Sequence, residues 1–352
     1  MQAQDTTNNN IAVTVRALLL FFLVVLILFL GRTLFIPMFY GLFIAIVLYP
    51  VCRKLETHKL SKGLSITIAL SMVIVLFSAL LILLYWQIGL FRQDLPALMQ
   101  KVKPMLTRFR EWLTASFAIS PLMQTEWTHN LVVNSSASVG GLLRSTVAAT
   151  AGTFFSLFLI PIFAALFLYH RTIFVKFLYH YLGERMRDRV NVILKEVIHT
   201  YFNYIKGMIL VYIIVGILNS IGLMALGIKH AILFGMLTAI MTIIPYAGII
   251  ISAALPISVA FITTNSIWYP IGVILVFSFV QYLEANVIFP KVVGIQLNVS
   301  TWAMLVAILA GGIIWGVSGM ILFIPFVAIL KIVASHIKEL EALHILLNRD
   351  GH

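Results

Sequence analysis

The sequence has 352 residues, 61% of them hydrophobic and 10% charged, with a mean hydropathy of +1.05; soluble domains carry about 25% charged residues, so a chain of water-soluble domains is excluded and lipid is indicated. Its 24 Lys and Arg against 12 Asp and Glu give a formal charge of +12, which on a membrane protein gathers in cytoplasmic loops; no basic soluble domain accompanies it, so no nucleic-acid partner is expected. One cysteine, Cys52, excludes a disulfide framework and a cysteine metal site.

In chain order, a polar tail over 1–11 precedes an apolar run over 12–30. Within it the stretch Ala17–Leu30 follows Arg16 as a signal peptide would, but no small-residue cleavage site comes after it, only Gly31, Arg32 and another apolar stretch. It reads as a retained membrane helix. Helices over 34–51 and 64–90 follow and complete an N-terminal region 12–90, the shorter ones still usable against the roughly 20 residues that span hydrocarbon. Between them Arg53, Lys54, Lys59 and Lys62 face only Glu56, which makes that loop cytoplasmic. Both termini and segment 170–200 then fall inside, and segment 91–146 outside.

In the outer segment Leu98, Val102, Met105, Phe109 and Trp112 mark one face of a helix, a cap on the bundle or a contact between subunits. After a helix over 147–169, the inner segment repeats the pattern with Leu182, Met186, Val190, Ile193 and Val197. Its basic opposite face suits an anionic leaflet; the readings are a lipid-facing structural helix or a moving linker. A core over 201–333 follows, with helices at 203–227 and 267–289, and a tail over 334–352.

Two apolar runs are too long. Residues 231–264 and 301–333 are 34 and 33 positions, roughly 50 Å as helices against about 30 Å of hydrocarbon. Pro245, Gly248 and Pro256 break the first; Gly311, Gly312, Gly316, Gly319 and Pro325 break the second. Aligned on Pro256 and Pro325, Tyr246 falls on Trp315 at a constant offset of 69. Freed backbone groups must be buried in protein or line a watery cavity, and paired interrupted segments mark transporters built from repeats. Re-entrant hairpins are expected here, of inverted orientation, with full crossings as the alternative. The fold class is thus an all-α integral membrane protein: about six transmembrane helices and two helical hairpins broken by Pro and Gly.

Ionisable residues at membrane depth are costly and mark function. Glu284 is the clearest, a helical turn from Gln281 and followed by Asn286 and Pro290. Burial disfavours its charged form and a nearby cation favours it, so such a group can exchange a proton for something else; a structural clamp is the plain alternative. Lys206, beside Asn203 and Gly207, either snorkels to the interface or pairs with Glu284. Asn219 reads as interhelical glue before ligand contact. Tyr246, Gly248, Gly311 and Gly312 mark hairpin tips whose bare helix ends suit a small polar ligand, though close packing also explains the glycines. No phosphate loop, HExxH or CxxC appears. No enzyme activity, cofactor or metal is expected.

The stretches YFNYIKG, IIPYAGIIISAALP, QYLEANVIFPKVVG and ILAGGIIWGVSGMILFIPFVAILK, with LYPVCRKLE earlier, closely resemble the autoinducer-2 exporter family over roughly residues 12–335. One departure is VGIQLNVSTW, which lacks the proline the family often has there. The resemblance implies a multi-pass bacterial inner-membrane transporter and a homo-oligomer, with a pentamer as one form. It implies export of autoinducer-2, or in some members sodium or lithium/proton antiport. The family's motif positions fall on Lys206, Gly207, Pro245, Tyr246, Gly248, Gln281, Glu284, Asn286, Pro290, Gly311, Gly312 and Pro325. Alternating-access export of a small polar solute, with H+ or Na+ as the coupling ion, is the leading expectation. Cation/proton antiport comes next, and a non-transporting membrane scaffold third.

Overall fold

The computed structural model describes residues 15–16, 18–20, 22–117, 157–245, 247–264, 266–293 and 296–349, with the backbone alone at 94–95, 97–99, 101–117 and 247. Among the described residues the only pairing outside helices and turns is one isolated bridge, Val299 to Asn348. Helix α1 (Leu18–Leu30) is separated from α2 (Arg32–Thr57) by Gly31 alone. Bonds from Gly31 N–H to the Ile27 carbonyl and from Phe35 N–H to the Gly31 carbonyl carry the helix across. The two predicted N-terminal spans therefore meet without a loop.

Helix α3 (Lys62–Phe117) runs 56 residues unbroken. At 1.5 Å per residue that is about 84 Å, so it must leave the bilayer. The predicted span and the start of the predicted outer segment are one element. The expected face from Leu98 to Trp112 falls outside the described side chains, and residues 118–156 lie outside the described residues.

Helices α4 (Leu157–Tyr169) and α5 (Arg171–Leu182) meet at 63°. The polar segment 170–200, expected as one amphipathic helix, is two. Gly183 sits at φ +84°, a conformation glycine adopts freely, and ends α5. A 3-10 turn, Glu184–Met186, leads into α6 (Arg187–Ala225). The expected face divides: Val190 and Val197 are buried on α6, whereas Leu182 is exposed on α5.

Helices α7 (Ala231–Met241), α8 (Ala247–Thr263) and α9 (Trp268–Leu283) follow. A π-helical turn, Glu284–Ile288, leads to α10 (Phe289–Val292). Helices α11 (Thr301–Trp315), α12 (Val317–Ser335) and α13 (Glu341–Leu347) complete the described chain. The two long apolar runs are each two helices. The first breaks from 242 to 245 and the second at Gly316, φ +61°; Pro256 and Pro325 lie inside α8 and α12, not at the breaks.

Both pairs fold back. A Cβ on Gly248 would strike the Met241 carbonyl, and a Cβ on Gly311 or Gly319 would strike the other's carbonyl. Residues eight apart in one helix are about 12 Å apart, so that backbone contact requires a hairpin. The arms are unequal, at 11 and 17 residues and at 15 and 19.

Five helical stretches are long and apolar enough to cross a membrane: α2, Lys62–Gln93 of α3, Glu184–Ala225, Trp268–Val292 and α12; the bent α4–α5 pair makes a sixth if counted as one span. Only 11% of the apolar window of α3 is buried within the chain, a surface that lipid rather than water covers. The protein is an all-α multi-pass membrane protein.

The chain divides into two compact units. In the one holding α2, α4, α5 and α11–α13, Phe39 meets Phe326 edge-on with centroids 4.7 Å apart, and Trp315 Nε1 donates to the Leu28 carbonyl at 2.9 Å. The C-terminal segment returns to the foot of α11. Ser300 N–H bonds to the Leu347 carbonyl at 2.9 Å, and buried Lys331 donates to the Asn298 carbonyl at 2.7 Å. In the other unit, glycines set the packing. Gly222 faces Val276 and Gly272 faces Leu226, while a Cβ on Gly207 would lie 3.0 Å from the Val292 carbonyl. Position rises on one partner as it falls on the other, so α6 and α9 run antiparallel, close together through small residues.

Candidate functional site

Glu284 stands at the end of α9, where the chain widens. Phe289 N–H bonds to the Glu284 carbonyl five residues back. Pro290 explains the widening: it offers no N–H, and its ring would crowd the carbonyl four residues earlier in an α-helix. Such turns re-aim side chains and recur at functional sites.

Glu284 is 9% exposed, and its Oε2 has no hydrogen-bond partner among the described residues. An apolar cluster of Val211 and Val215 from α6 with Val280 and Val293 lies alongside. Tyr212 of α6 is within electrostatic range of the Glu284 carboxyl, and Tyr204 within range of Tyr212. One turn beyond Val215, Asn219 is wholly buried. Its Nδ2 donates to the Val215 carbonyl of its own helix at 3.0 Å, and its Oδ1 has no partner among the described residues. The antiparallel register sets Glu284 opposite the Tyr212–Val215 turn and Asn219 opposite Val280.

The other predicted polar residues stand further out. Gln281 is half-buried. Asn286 is exposed and donates to the Tyr282 carbonyl at 2.9 Å. Asn203 is half-buried and Lys206 exposed, and no ion pair joins Lys206 to Glu284 among the described residues. No group of three or more His, Cys, Asp or Glu able to hold a metal occurs among the described residues.

The sequence matches the family described as AI-2E family transporter over residues 17–339. The chain belongs to the AI-2E transporter family. It is 25% identical over 328 residues to YrrI and 26% over 323 to YueF, both of Bacillus subtilis (strain 168), and 23% over 316 to YhhT of Escherichia coli (strain K12). These alignments cover 89%, 85% and 87% of this chain and 89%, 83% and 86% of the relatives. Each relative bears the name "putative transport protein". A membrane transport role follows for this AI-2E family chain at that level of detail.

The family motif positions divide between the two units. Lys206, Gly207, Pro245, Gly248, Gln281, Glu284, Asn286 and Pro290 belong with Asn219 and Pro256 to the unit of α7–α9; Gly311, Gly312, Gly316 and Pro325 belong to the other. Pro245 is half-buried in the first hairpin's tip, and Tyr246 lies outside the described residues. Gly312 abuts the Met320 side chain, and Gly316 makes the second tip. Sequence reasoning passed over Tyr204 and Tyr212. Their spacing of eight on one helix was the available signal, but aromatics in an apolar helix read first as packing.

Proposed function

We propose that this AI-2E family transporter is a secondary transporter of the bacterial inner membrane that exports a small polar signal or metabolite such as autoinducer-2 by alternating access. Glu284 is its coupling residue. The observation that carries the reading is the buried Glu284 carboxyl with an unpartnered oxygen on a widened turn. A buried polar atom without a partner is destabilising by about 1–3 kcal/mol. Residues kept in that condition at membrane depth are the ones that bind transiently. A proton, a cation or a solute hydroxyl satisfies the oxygen in one state and leaves it in another. The α7–α8 tip, in the same unit as Glu284, supplies further backbone groups for a small polar ligand. The family name and the transport names of the relatives support the class. We take it to be a homo-oligomer in lipid, as the family resemblance implies.

Sodium or lithium/proton antiport is the second reading, favoured because no cation is paired with Glu284 among the described residues. Full-length protein in liposomes separates the two. Autoinducer-2 efflux that falls at least tenfold in Glu284→Gln, without sodium flux, supports export. Sodium-for-proton exchange abolished by the same change supports antiport. Autoinducer-2 efflux indifferent to it removes Glu284 from the mechanism. No solute movement, with partner proteins co-purifying, leaves the scaffold reading.

A further inference from the structure

The unit without Glu284 contains a crevice of about 800 Å³ between the second half of α2, the α4–α5 corner and the start of α6. Its walls are apolar, with Ile46, Phe167, Val175, Leu194, Ile198 and Phe202 half-buried along them. Five Lys or Arg side chains also line it, and no carboxylate does. Arg171 is held by Glu56 at 2.5 Å and lies over the Tyr49 ring at 5.3 Å. Its Nη1 is buried without a partner among the described residues. Arg187 lies over Tyr179 at 5.1 Å, and Glu184 approaches it at 3.5 Å. Arg53, Lys176 and Lys195 are exposed and have no carboxylate partner among the described residues.

We infer that this crevice is a binding site for an anionic phospholipid, with the headgroup on Arg53, Lys176, Arg187 and Lys195 and an acyl chain along the apolar walls. The charge selects an anion, and the walls select one that carries a chain. A free phosphate would leave Ile46 and Phe202 uncovered, and a neutral lipid would leave three cations unmatched. Helix α5 fixes the depth. It exposes Ile173, Phe177 and Tyr181 beside Lys176 and His180, the pattern of a helix lying at the headgroup boundary. The site is independent of the transport role proposed for Glu284.

Native mass spectrometry of the delipidated full-length protein tests the assignment, using phosphatidylglycerol and phosphatidylcholine of identical acyl chains. Wild type is expected to retain phosphatidylglycerol about tenfold over phosphatidylcholine. The preference is expected to fall to parity in R53Q/K176Q/K195Q and to persist in K54Q/K59Q/R185Q, which removes as many charges outside the crevice. I46W, which fills the apolar depth and leaves every charge in place, is expected to lower retention as well. Equal retention of the two lipids by wild type overturns the assignment. So does a preference that survives both R53Q/K176Q/K195Q and I46W, or displacement of phosphatidylglycerol by millimolar inorganic phosphate.

Discussion

At Glu284 two physical roles make opposite predictions about stability. A structural clamp stabilises the fold, so its removal costs about 3 kcal/mol or more. An acid kept partly unsatisfied for transient binding destabilises the resting fold, and an apolar replacement of similar volume relieves that. With Oε2 unpartnered, Glu284→Leu is expected to leave the unfolding temperature unchanged or raise it while transport is lost. A fall of several degrees in detergent would assign the residue to the clamp. Asn219 differs. Its amide bonds its own helix, so it does not join helices by that bond, and only its orphaned Oδ1 is free to bind across. Asn219→Ala is therefore expected to change transport more than stability, as paired flux and unfolding measurements would read. Glu284 could be singled out from sequence because a charge in an apolar run has few explanations. The tyrosines could not, because their apolar bodies explain themselves and only the antiparallel register of α6 against α9 brings Tyr212 to the acid.

At the scale of elements, backbone contact distinguishes the hairpin glycines. A Cβ on Gly311 meets the Gly319 carbonyl, which belongs to the facing helix and cannot rotate aside. Gly311→Ala is expected to destabilise the α11–α12 hairpin by about 1–3 kcal/mol, as overpacking does. Gly89 in α3 meets nothing within 4 Å, and Gly89→Ala is expected to gain about 0.5–1 kcal/mol through helix propensity. Thermal unfolding of the two variants side by side measures both. The broken runs were legible because length and glycine content forbid a single straight helix in about 30 Å of hydrocarbon. The position of the breaks was less so. Pro256 and Pro325 drew attention yet lie within α8 and α12, because a membrane helix tolerates proline in its interior. The polar segments misled in the other direction. Helices α3 and α6 run on past the apolar stretch, because a helix bonds its own backbone in water as well as in lipid and a change of solvent ends nothing.

For the whole molecule the remaining question is which way each segment faces. Composition alone separates lipid from water, but side is encoded only in the loop charges. Arg53 and Lys54 close α2, Lys59 follows it and Lys62 opens α3, while Arg185 lies between α5 and α6 and Arg187 and Arg189 open α6; an excess of Lys and Arg holds such helix ends and the loops between them in the cytoplasm. Lone Cys52 is fully buried, with Sγ 3.8 Å from the Ser65 carbonyl, so Cys52→Ser gives a background of nearly unchanged shape for single-cysteine labelling. On that background K59C and R185C are expected to react with an impermeant maleimide only from the cytoplasmic side. Lys229 and Ser266 flank the α7–α8 hairpin. Arms of 11 and 17 residues, about 16 and 25 Å, are each shorter than the hydrocarbon. A pair that folds back between α7 and α8 returns the chain to the face it left. K229C and S266C are therefore expected to label from one and the same side, opposite to K59C. Reaction of the two from opposite sides would mean that the run crosses the membrane, and the inverted pairing of the two hairpins would fall with it.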